Sequence, residues 1–238
     1  MGLFKKKVSP SPEEQAFMEE NKKRLETFEA TKALGVKKYR VSTQFIYDKE
    51  GKCFVVVEGP EETFKEKNPI IADFDQVEEV ILDIDEYWSE SKDEFAPRGF
   101  GRLLQEDYTK VYWRYDFYIT IKTTHPYAKD IKFKTNFKPT IMKIKSKNLI
   151  FVRRGFEIGG SYTSDELPEL IEKMEQLLVD ETKQIHGEKV FDIITNNRPD
   201  SIVDQLVGEG LDSVYLKKID NMTRHIKRAN KIAKIVLP

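Results

Sequence analysis

The sequence predicts an α+β fold: an antiparallel β-sheet closed by an amphipathic helix, with an N-terminal helix and a C-terminal helical extension. Apolar residues recur at every second position through much of the segment 44–160, which is typical of strands with one buried face. From residue 164 they recur with the helical period, and helix-start signals lie near the N-terminus. We therefore divide the chain into an N-terminal helix (11–35), a β-rich domain with its closing helix (41–182) and a C-terminal helical extension (183–238).

The N-terminal helix is predicted from its boundary residues. Ser11 and Glu14 have the spacing of a capping box, and Pro12 suits the first helical position. Gly35 is a residue that can end such a helix. One stripe at helical spacing carries the apolar side chains that we expect to pack on the rest of the protein: Phe17, Leu25 and Phe28.

Alternating side chains locate the strands of the β-rich domain. The first two form a hairpin around the turn 48–51, and "VEEVILDID" follows as a further strand. The clearest alternation runs from Trp113 to Lys122, and "DIKFKTNF" repeats it, with Phe137 expected to face inward. Shorter strands are expected near 141–144 and 149–153. The polar stretch between Tyr87 and Tyr108 is expected to form a long loop.

The closing helix is predicted from Ser164 onward. Ser164 is a suitable N-cap, and the carboxylates of Asp165 and Glu166 complement the helix dipole. One continuous helical face carries the residues that we expect in the core: Leu167, Leu170, Ile171, Met174, Leu177 and Leu178.

The last helix, within 212–236, combines an apolar seam with a high positive charge. The seam repeats at steps of four and three over about three heptads: Tyr215, Ile219, Met222, Ile226, Ala229, Ala233 and Val236. This pattern is compatible with a coiled coil, a helix on an acidic groove, a helix on an anionic membrane, or a helix packed on its own domain. The expected partner-binding residues are Tyr215, Ile219, Met222, Ile226, Lys217, Arg224, Lys227, Arg228 and Lys231.

Charge is strongly segregated along the chain, although the net charge is only -1. Residues 1–40 carry a net charge of +4, 41–110 carry -10, 111–163 carry +8, 164–212 carry -9 and 213–238 carry +6. Such blocks neutralise each other within one fold or between copies of it. The acidic residues between positions 73 and 86 are expected to form a solvated edge, or a surface for the basic last helix, rather than a calcium site.

A lysine-rich strand face is the second candidate surface. Its lysines alternate with apolar residues, so we expect them to point outward beside Tyr118 and to contact anions such as phospholipid headgroups or nucleic acid. Nucleic acid is disfavoured, because the whole chain is not basic and it has no RNA-binding signature. Outward lysines also prevent edge-to-edge aggregation. The anion-binding residues of this alternative are Lys122, Lys132, Lys134 and Lys138.

No group of residues in the sequence supports catalysis. His125 precedes a proline, which favours an extended or turn conformation, and no nucleophile motif accompanies it. His186 and His225 do not have the spacing of zinc ligands. The single cysteine, Cys53, falls among valines in a predicted strand and is expected to be a buried small apolar residue. We expect no enzymatic activity, no cofactor and no metal site.

Three segments resemble a family of uncharacterised proteins from low-GC Gram-positive bacteria. They are "ENKKRLETFEATKALG", "NPIIADFDQVEEVILDIDE" and "YDFYITIKTTHPYAKDIKFK", and the resemblance covers roughly residues 20–136. Many members of that family have a four-cysteine zinc ribbon ahead of this region, whereas this chain has residues 1–12 there, so no zinc function is implied. The order of strands followed by one closing helix is also similar to a partly open pleckstrin-homology-like barrel. That likeness is an analogy of fold and does not assign a function.

These observations predict a non-enzymatic interaction or assembly module that uses segregated charge and its C-terminal heptad helix. Its partner is expected to be another protein or a second copy of the chain. The alternative is a peripheral protein that binds an anionic surface through the lysine-rich strand face and the basic helix. The sequence has no signal peptide and no apolar run near ~18 residues, so we expect a cytoplasmic protein without a transmembrane segment.

Overall fold

The computed structural model describes residues 11–35, 43–59, 61–92, 109–146, 156–186 and 214–237. These residues form an α+β fold with antiparallel sheets, as the sequence predicts. The α-helices and strands of the described part are α1 (Pro12–Thr27), β1 (Lys32–Gly35), β2 (Thr43–Asp48), β3 (Cys53–Glu58), β4 (Ala72–Asp73), β5 (Val77–Lys92), β6 (Thr109–Thr123), β7 (Asp130–Lys134), β8 (Thr140–Ser146), β9 (Gly160–Thr163), α2 (Leu167–His186) and α3 (Val214–Val236).

The strands form two antiparallel sheets. The first has the order β1-β2-β3-β4. The second has the order β7-β6-β5-β9, and β8 also pairs with β6, beyond the end of β7. Neither sheet closes into a barrel among the described residues.

The predicted hairpin turn 48–51 is confirmed and is organised by one carboxylate. Asp48 ends β2, and its Oδ1 accepts hydrogen bonds from the backbone N–H groups of Glu50 (3.1 Å) and Gly51 (2.9 Å). Its Oδ2 accepts a third from the N–H of Glu29 at 2.9 Å. Although burial opposes ionisation, these three hydrogen bonds hold the pKa of Asp48 below its ordinary value.

Helix α1 has the predicted capping box but ends earlier than expected. Ser11 and Glu14 exchange the two capping hydrogen bonds. The helix ends at Thr27 rather than at Gly35, because Phe28 is extended and packs its buried ring 5.6 Å from that of Phe64. The backbone beyond it hydrogen-bonds to β2 and then forms β1. Pairing with a neighbouring strand therefore replaces the last predicted turns of the helix.

Two apolar clusters lie on opposite faces of the first sheet. The smaller cluster joins α1, through Leu25 and Phe28, to Ile46 and Val55. The larger cluster contains Phe54 from the opposite face, together with the inner face of the second sheet and both later helices. Strand β3 is therefore buried on both faces, which explains its continuous run of apolar residues.

The alternation predicted for β5 and β6 is confirmed, and these strands pair along nearly their whole length. Their inward side chains form the centre of the larger cluster: Val80, Leu82, Ile84, Tyr115, Phe117, Ile119 and Ile121. Strand β5 runs to Lys92, so the start of the predicted loop 87–108 is strand, whereas β6 begins at Thr109, directly after the predicted end of the loop. Residues 93–108 and the strand predicted near 149–153 lie outside the described residues.

The prediction that Phe137 faces inward is wrong, since its side chain is 51% exposed. Strand β7 ends at Lys134, and the buried side chain of Asn136 then fixes a turn through hydrogen bonds to the backbone. Its Nδ2 donates to the carbonyls of Tyr115 and Lys138, each at 3.0 Å, and its Oδ1 accepts from the N–H of Phe117. This turn interrupts the two-residue period before Phe137.

Helix α2 begins at Leu167, three residues after the predicted cap. The Glu166 carboxylate accepts hydrogen bonds from the backbone N–H of Thr163 at 2.8 Å and from its hydroxyl at 3.0 Å, which fixes the turn before the helix. Four residues of the predicted face are buried and two are partly buried, so the core-facing side was predicted correctly: Leu167, Leu170, Met174 and Leu178, then Ile171 and Leu177.

Helix α3 belongs to the same core as the β-rich domain. It packs against α2 and against strands β5, β6 and β8. Its apolar residues join the same cluster as the inner face of the second sheet. The boundary that we expected at residue 183 therefore does not separate the described part of the C-terminal extension from the domain.

Candidate functional site

The apolar seam of α3 is buried in the protein's own core. Ile219, Met222 and Ile226 are completely inaccessible, and Ala229 and Val236 are at most 1% exposed. The side chain of Tyr215 lies outside the described part. A seam covered in this way is not an exposed docking face, so the seam residues predicted to bind a partner pack within the chain instead.

The remaining surface of α3 carries a row of basic side chains. The exposed members define what we call the basic row: Lys217, Arg224, Lys227, Lys231 and Lys234. They span about 26 Å at the helical rise of ~1.5 Å per residue. Within the described part of α3, Asn221 is the one other exposed residue, and it is also polar.

Polar contacts orient α3 on the second sheet. Arg228 is partly buried and donates from Nη1 to the carbonyl of Thr135 at 3.1 Å, so it does not belong to the basic row. Burial lowers its pKa from the ordinary arginine value. The hydroxyl of Thr140 donates to Oδ1 of Asn221 at 3.0 Å. These contacts turn one side of α3 toward the sheet, and the basic row lies on another side.

Acidic side chains on α2 lie next to the basic row. The two helices are joined at the surface by the ion pair between Lys227 Nζ and Glu175 Oε1, which are 2.8 Å apart. Glu175 and three exposed carboxylates of α2 form what we call the acidic row: Glu169, Glu172, Glu175 and Asp180. Within α3, Arg224 and Asp220 form a second ion pair at 2.7 Å.

The lysine-rich strand face is largely neutralised by carboxylates of the same sheet. Lys122 Nζ lies 2.8 Å from Glu79 Oε2, and Lys132 Nζ lies 2.9 Å from Asp83 Oδ2. Lys134 is paired with Asp116. The acidic edge that we expected to be solvated or to bind the last helix therefore pairs, at Glu79 and Asp83, with lysines of neighbouring strands.

Ion pairing on this face shifts the pKa values of Lys132 and Asp83 in the directions that favour their charged forms. A hydrogen bond to Asp83 raises the pKa of Lys132. Although burial opposes ionisation of Asp83, hydrogen bonds from Ser161 and Lys132 hold its pKa below the ordinary value. Lys132 and Lys134 also lie over the ring of Tyr118, at 5.2 and 5.6 Å from its centroid. Of the four lysines in this alternative, Lys138 is exposed and has no ion pair among the described residues.

His125 lies in a turn between β6 and β7, where the sequence predicts it. Its ring is buried, and its Nδ1 accepts a hydrogen bond from the backbone N–H of Tyr127 at 3.1 Å. Its own backbone N–H donates to the hydroxyl of Thr123 at 3.0 Å. The ring of Phe17 on α1 packs edge-on to it at 5.3 Å. Burial lowers the pKa of His125, and these contacts are those of a residue that holds a turn.

Glu86 has a structural role that the sequence analysis missed. Its carboxylate accepts backbone hydrogen bonds from Ile158 at 2.8 Å and from Gly159 at 2.7 Å, and a longer one from Glu157 at 3.3 Å. The Tyr115 hydroxyl donates to the same carboxylate at 3.0 Å. A Cβ atom at Gly159 would lie only 2.7 Å from the Cβ of Glu86. The glycines in "EIGG" were the available signal that another group approaches this backbone closely.

The described residues contain no group of three His, Cys, Asp or Glu side chains placed to hold a metal ion. In the same part of the chain, no helix is both long and apolar enough to cross a membrane. Cys53 is buried, as predicted, with 7% of its side chain exposed. Comparisons with protein-family models, curated proteins and solved structures find no match to this chain.

Proposed function

We propose that the protein is a non-enzymatic interaction module that binds an acidic protein surface through the basic row of α3. The observation that carries the proposal is the division of this helix between a buried apolar seam and an exposed basic row. A helix held in a core presents its charges on a rigid backbone, so little backbone freedom is lost on docking.

Charge along the row favours an anionic partner. Segment 214–236 has a net charge of +6, and Lys231 and Lys234 form no ion pair among the described residues. Exposed pairs contribute up to ~1 kcal/mol each, so a row of five is expected to give a modest affinity that falls with salt. Because lysine and arginine rows also accelerate encounter with anionic surfaces, association should be fast at low ionic strength.

The alternative function is peripheral binding to phospholipid headgroups or nucleic acid. Two observations make it the less favoured candidate. Helices that bind membrane interfaces insert an apolar face, whereas the apolar face of α3 is buried within the protein. On the strand face, Lys122, Lys132 and Lys134 form ion pairs within the sheet. The basic row also contains paired residues, but Lys231 and Lys234 form no ion pair among the described residues and lie close together on one helix. Membership of the bacterial family and a pleckstrin-homology-like core stay predictions, and the proposed function does not depend on either.

Binding of poly-L-glutamate by the full chain tests the proposed function. The double variant Lys231→Glu/Lys234→Glu reverses two charges of the basic row without breaking a described ion pair, and we expect it to lose at least about tenfold in affinity. The double variant Lys22→Glu/Lys23→Glu makes the same charge change on exposed positions of α1 and serves as the matched control. Equal losses in both variants would show that net charge, and not the basic row, determines binding.

Vesicles of phosphatidylserine and phosphatidylcholine separate the two candidate functions. The proposal predicts weak vesicle binding that salt abolishes and that does not exceed binding to poly-L-glutamate. Strong vesicle binding that survives moderate salt would instead support the peripheral-binder alternative.

A further inference from the structure

The exposed faces of α2 and α3 carry opposite charges and lie next to each other. Segment 164–186, which contains α2, has a net charge of -5, and segment 214–236 has a net charge of +6. Both helices bury their apolar residues in the same core cluster, so their charged residues face away from that core. The Lys227–Glu175 ion pair joins the two rows side by side.

We propose that a second copy of this chain occupies the basic row, through the acidic row of its own α2. This inference rests on the proposed function and specifies its partner. Consider a two-fold axis that is parallel to both helices and lies on their solvent side, above the line where α2 meets α3. Rotation about this axis places the α2 of each copy over the α3 of the other. Both contacts are then of basic on acidic residues, which is the self-complementarity that a two-fold dimer requires.

The positions of the charged residues along the helix axes are compatible with this arrangement. Rotation about such an axis does not shift residues along the helices, so Lys227 of one copy lies level with Glu175 of the second copy. These two residues already lie at the same level within one chain, where their charged atoms are 2.8 Å apart. Each can therefore take part in a network that alternates in charge across the interface.

The size of the surface predicts how tight the dimer is. Two neighbouring helices of about 30 Å length present roughly 600 Å² per copy, which is below the ~800 Å² of a standard interface. The exposed residues of the described part of α3 are all polar, so the hydrophobic contribution is small. The dimer is therefore expected to have a dissociation constant on the order of micromolar or weaker and to dissociate as salt rises above about 0.3 M.

Two charge-reversed variants of the full chain test the pairing. Lys231→Glu/Lys234→Glu lowers the net charge of segment 214–236 from +6 to +2, and Glu169→Lys/Glu172→Lys changes that of segment 164–186 from -5 to -1, so each variant removes most of the net charge of one of the two segments. None of these four residues forms an ion pair among the described residues, so neither variant disrupts a described intrachain contact. Circular dichroism and thermal unfolding establish that both remain folded.

Sedimentation velocity at low salt provides the readout. The wild-type chain is expected to dimerise, each variant alone to be monomeric, and the equimolar mixture of the two variants to recover a heterodimer. A wild-type chain that stays monomeric at about 100 µM and low salt overturns the dimer. A dimer that persists in both variants, or a mixture that fails to associate, overturns the pairing of these rows. If the wild-type chain is monomeric yet poly-L-glutamate binding still depends on Lys231 and Lys234, the proposed function stands and its partner is a different acidic protein.

Discussion

The imidazole of His225 on α3 stacks on the ring of Phe117 in the second sheet, with 5.0 Å between the ring centroids. Its Nδ1 is buried and has no hydrogen-bond partner within the described residues. Burial, together with the neighbouring Arg228, lowers the pKa of His225 from 6.5 to about 4. The residue is therefore neutral inside the core at physiological pH.

This histidine should make the protein sensitive to mild acid. Between pH 6.5 and about 4 the unfolded chain binds a proton at this position and the folded chain does not. The free energy of unfolding therefore falls as pH drops through this window, by about 3 kcal/mol from His225 alone. The variant His225→Phe keeps the ring contact and should flatten that part of the profile. Urea titrations at several pH values measure the free energy of unfolding of both proteins. If this free energy depended on pH equally in the wild type and in His225→Phe, His225 would not be the source of the acid sensitivity.

Glu86 should anchor the segment before β9. Charge-assisted hydrogen bonds of this kind contribute ~1.5–3 kcal/mol, so Glu86→Ala is expected to lower the free energy of unfolding by about 2 kcal/mol. Asp85→Ala, at the adjacent exposed position, is the control and should change it by less than about 0.5 kcal/mol. Hydrogen exchange at Ile158 and Gly159 should accelerate in the first variant alone. Unchanged exchange there would show that the carboxylate does not hold these amides.

The buried seam should respond to truncation as core residues do. Ile226 is completely inaccessible, so Ile226→Ala is expected to cost about 2–5 kcal/mol of stability. Lys231→Ala on the exposed row should leave stability within about 0.5 kcal/mol of the wild type. Denaturant unfolding compares the two variants. A harmless Ile226→Ala would mean that the seam is not packed in the core.

Cys53 should be nearly inert in the folded protein. Burial, with smaller contributions from Asp48 and Asp73, raises the pKa of its thiol from 9.0 to about 11. At neutral pH the reactive thiolate is therefore about 100-fold less abundant than for an ordinary thiol of the same reference pKa. Labelling with a disulfide reagent should be slow in buffer and rapid in guanidinium. Rapid labelling of the folded chain would show that this side of the first sheet opens readily.

Patterns that repeat along the chain were predictable from the sequence. The alternation in β5 and β6, the apolar face of α2 and the capping box of α1 depend on near neighbours, and all three are confirmed. The errors came from tertiary contacts. Phe28 leaves the helix because it packs on Phe64, and Phe137 turns outward because Asn136 hydrogen-bonds to β6. Phe64 is far from Phe28 in sequence, and the β6 residues that bind Asn136 are likewise far from it, so near neighbours do not reveal either contact.

The candidate site was predictable in part. Sequence spacing located both the seam and the basic residues of α3, but it left open whether the seam faced a partner or the protein itself. That choice depends on the inner face of the second sheet, where Phe117 and the neighbouring strands supply a surface for the helix. The pairing of Lys132 with Asp83 likewise depends on β5, β6 and β7 lying side by side in the sheet. Strand order of this kind is not encoded in local periodicity.

Cysteine labelling along α3 tests the division of this helix most directly. Ala229 is completely buried and Lys231 is exposed, although they are only two residues apart. Because Cys53 is expected to be inert, the variants Ala229→Cys and Lys231→Cys each introduce one readily assignable thiol. We expect rapid labelling of Lys231→Cys, slowed by poly-L-glutamate, and labelling of Ala229→Cys only upon unfolding. Similar rates at both positions, or no protection of Lys231→Cys by poly-L-glutamate, would contradict a core-seated helix that presents a basic binding row.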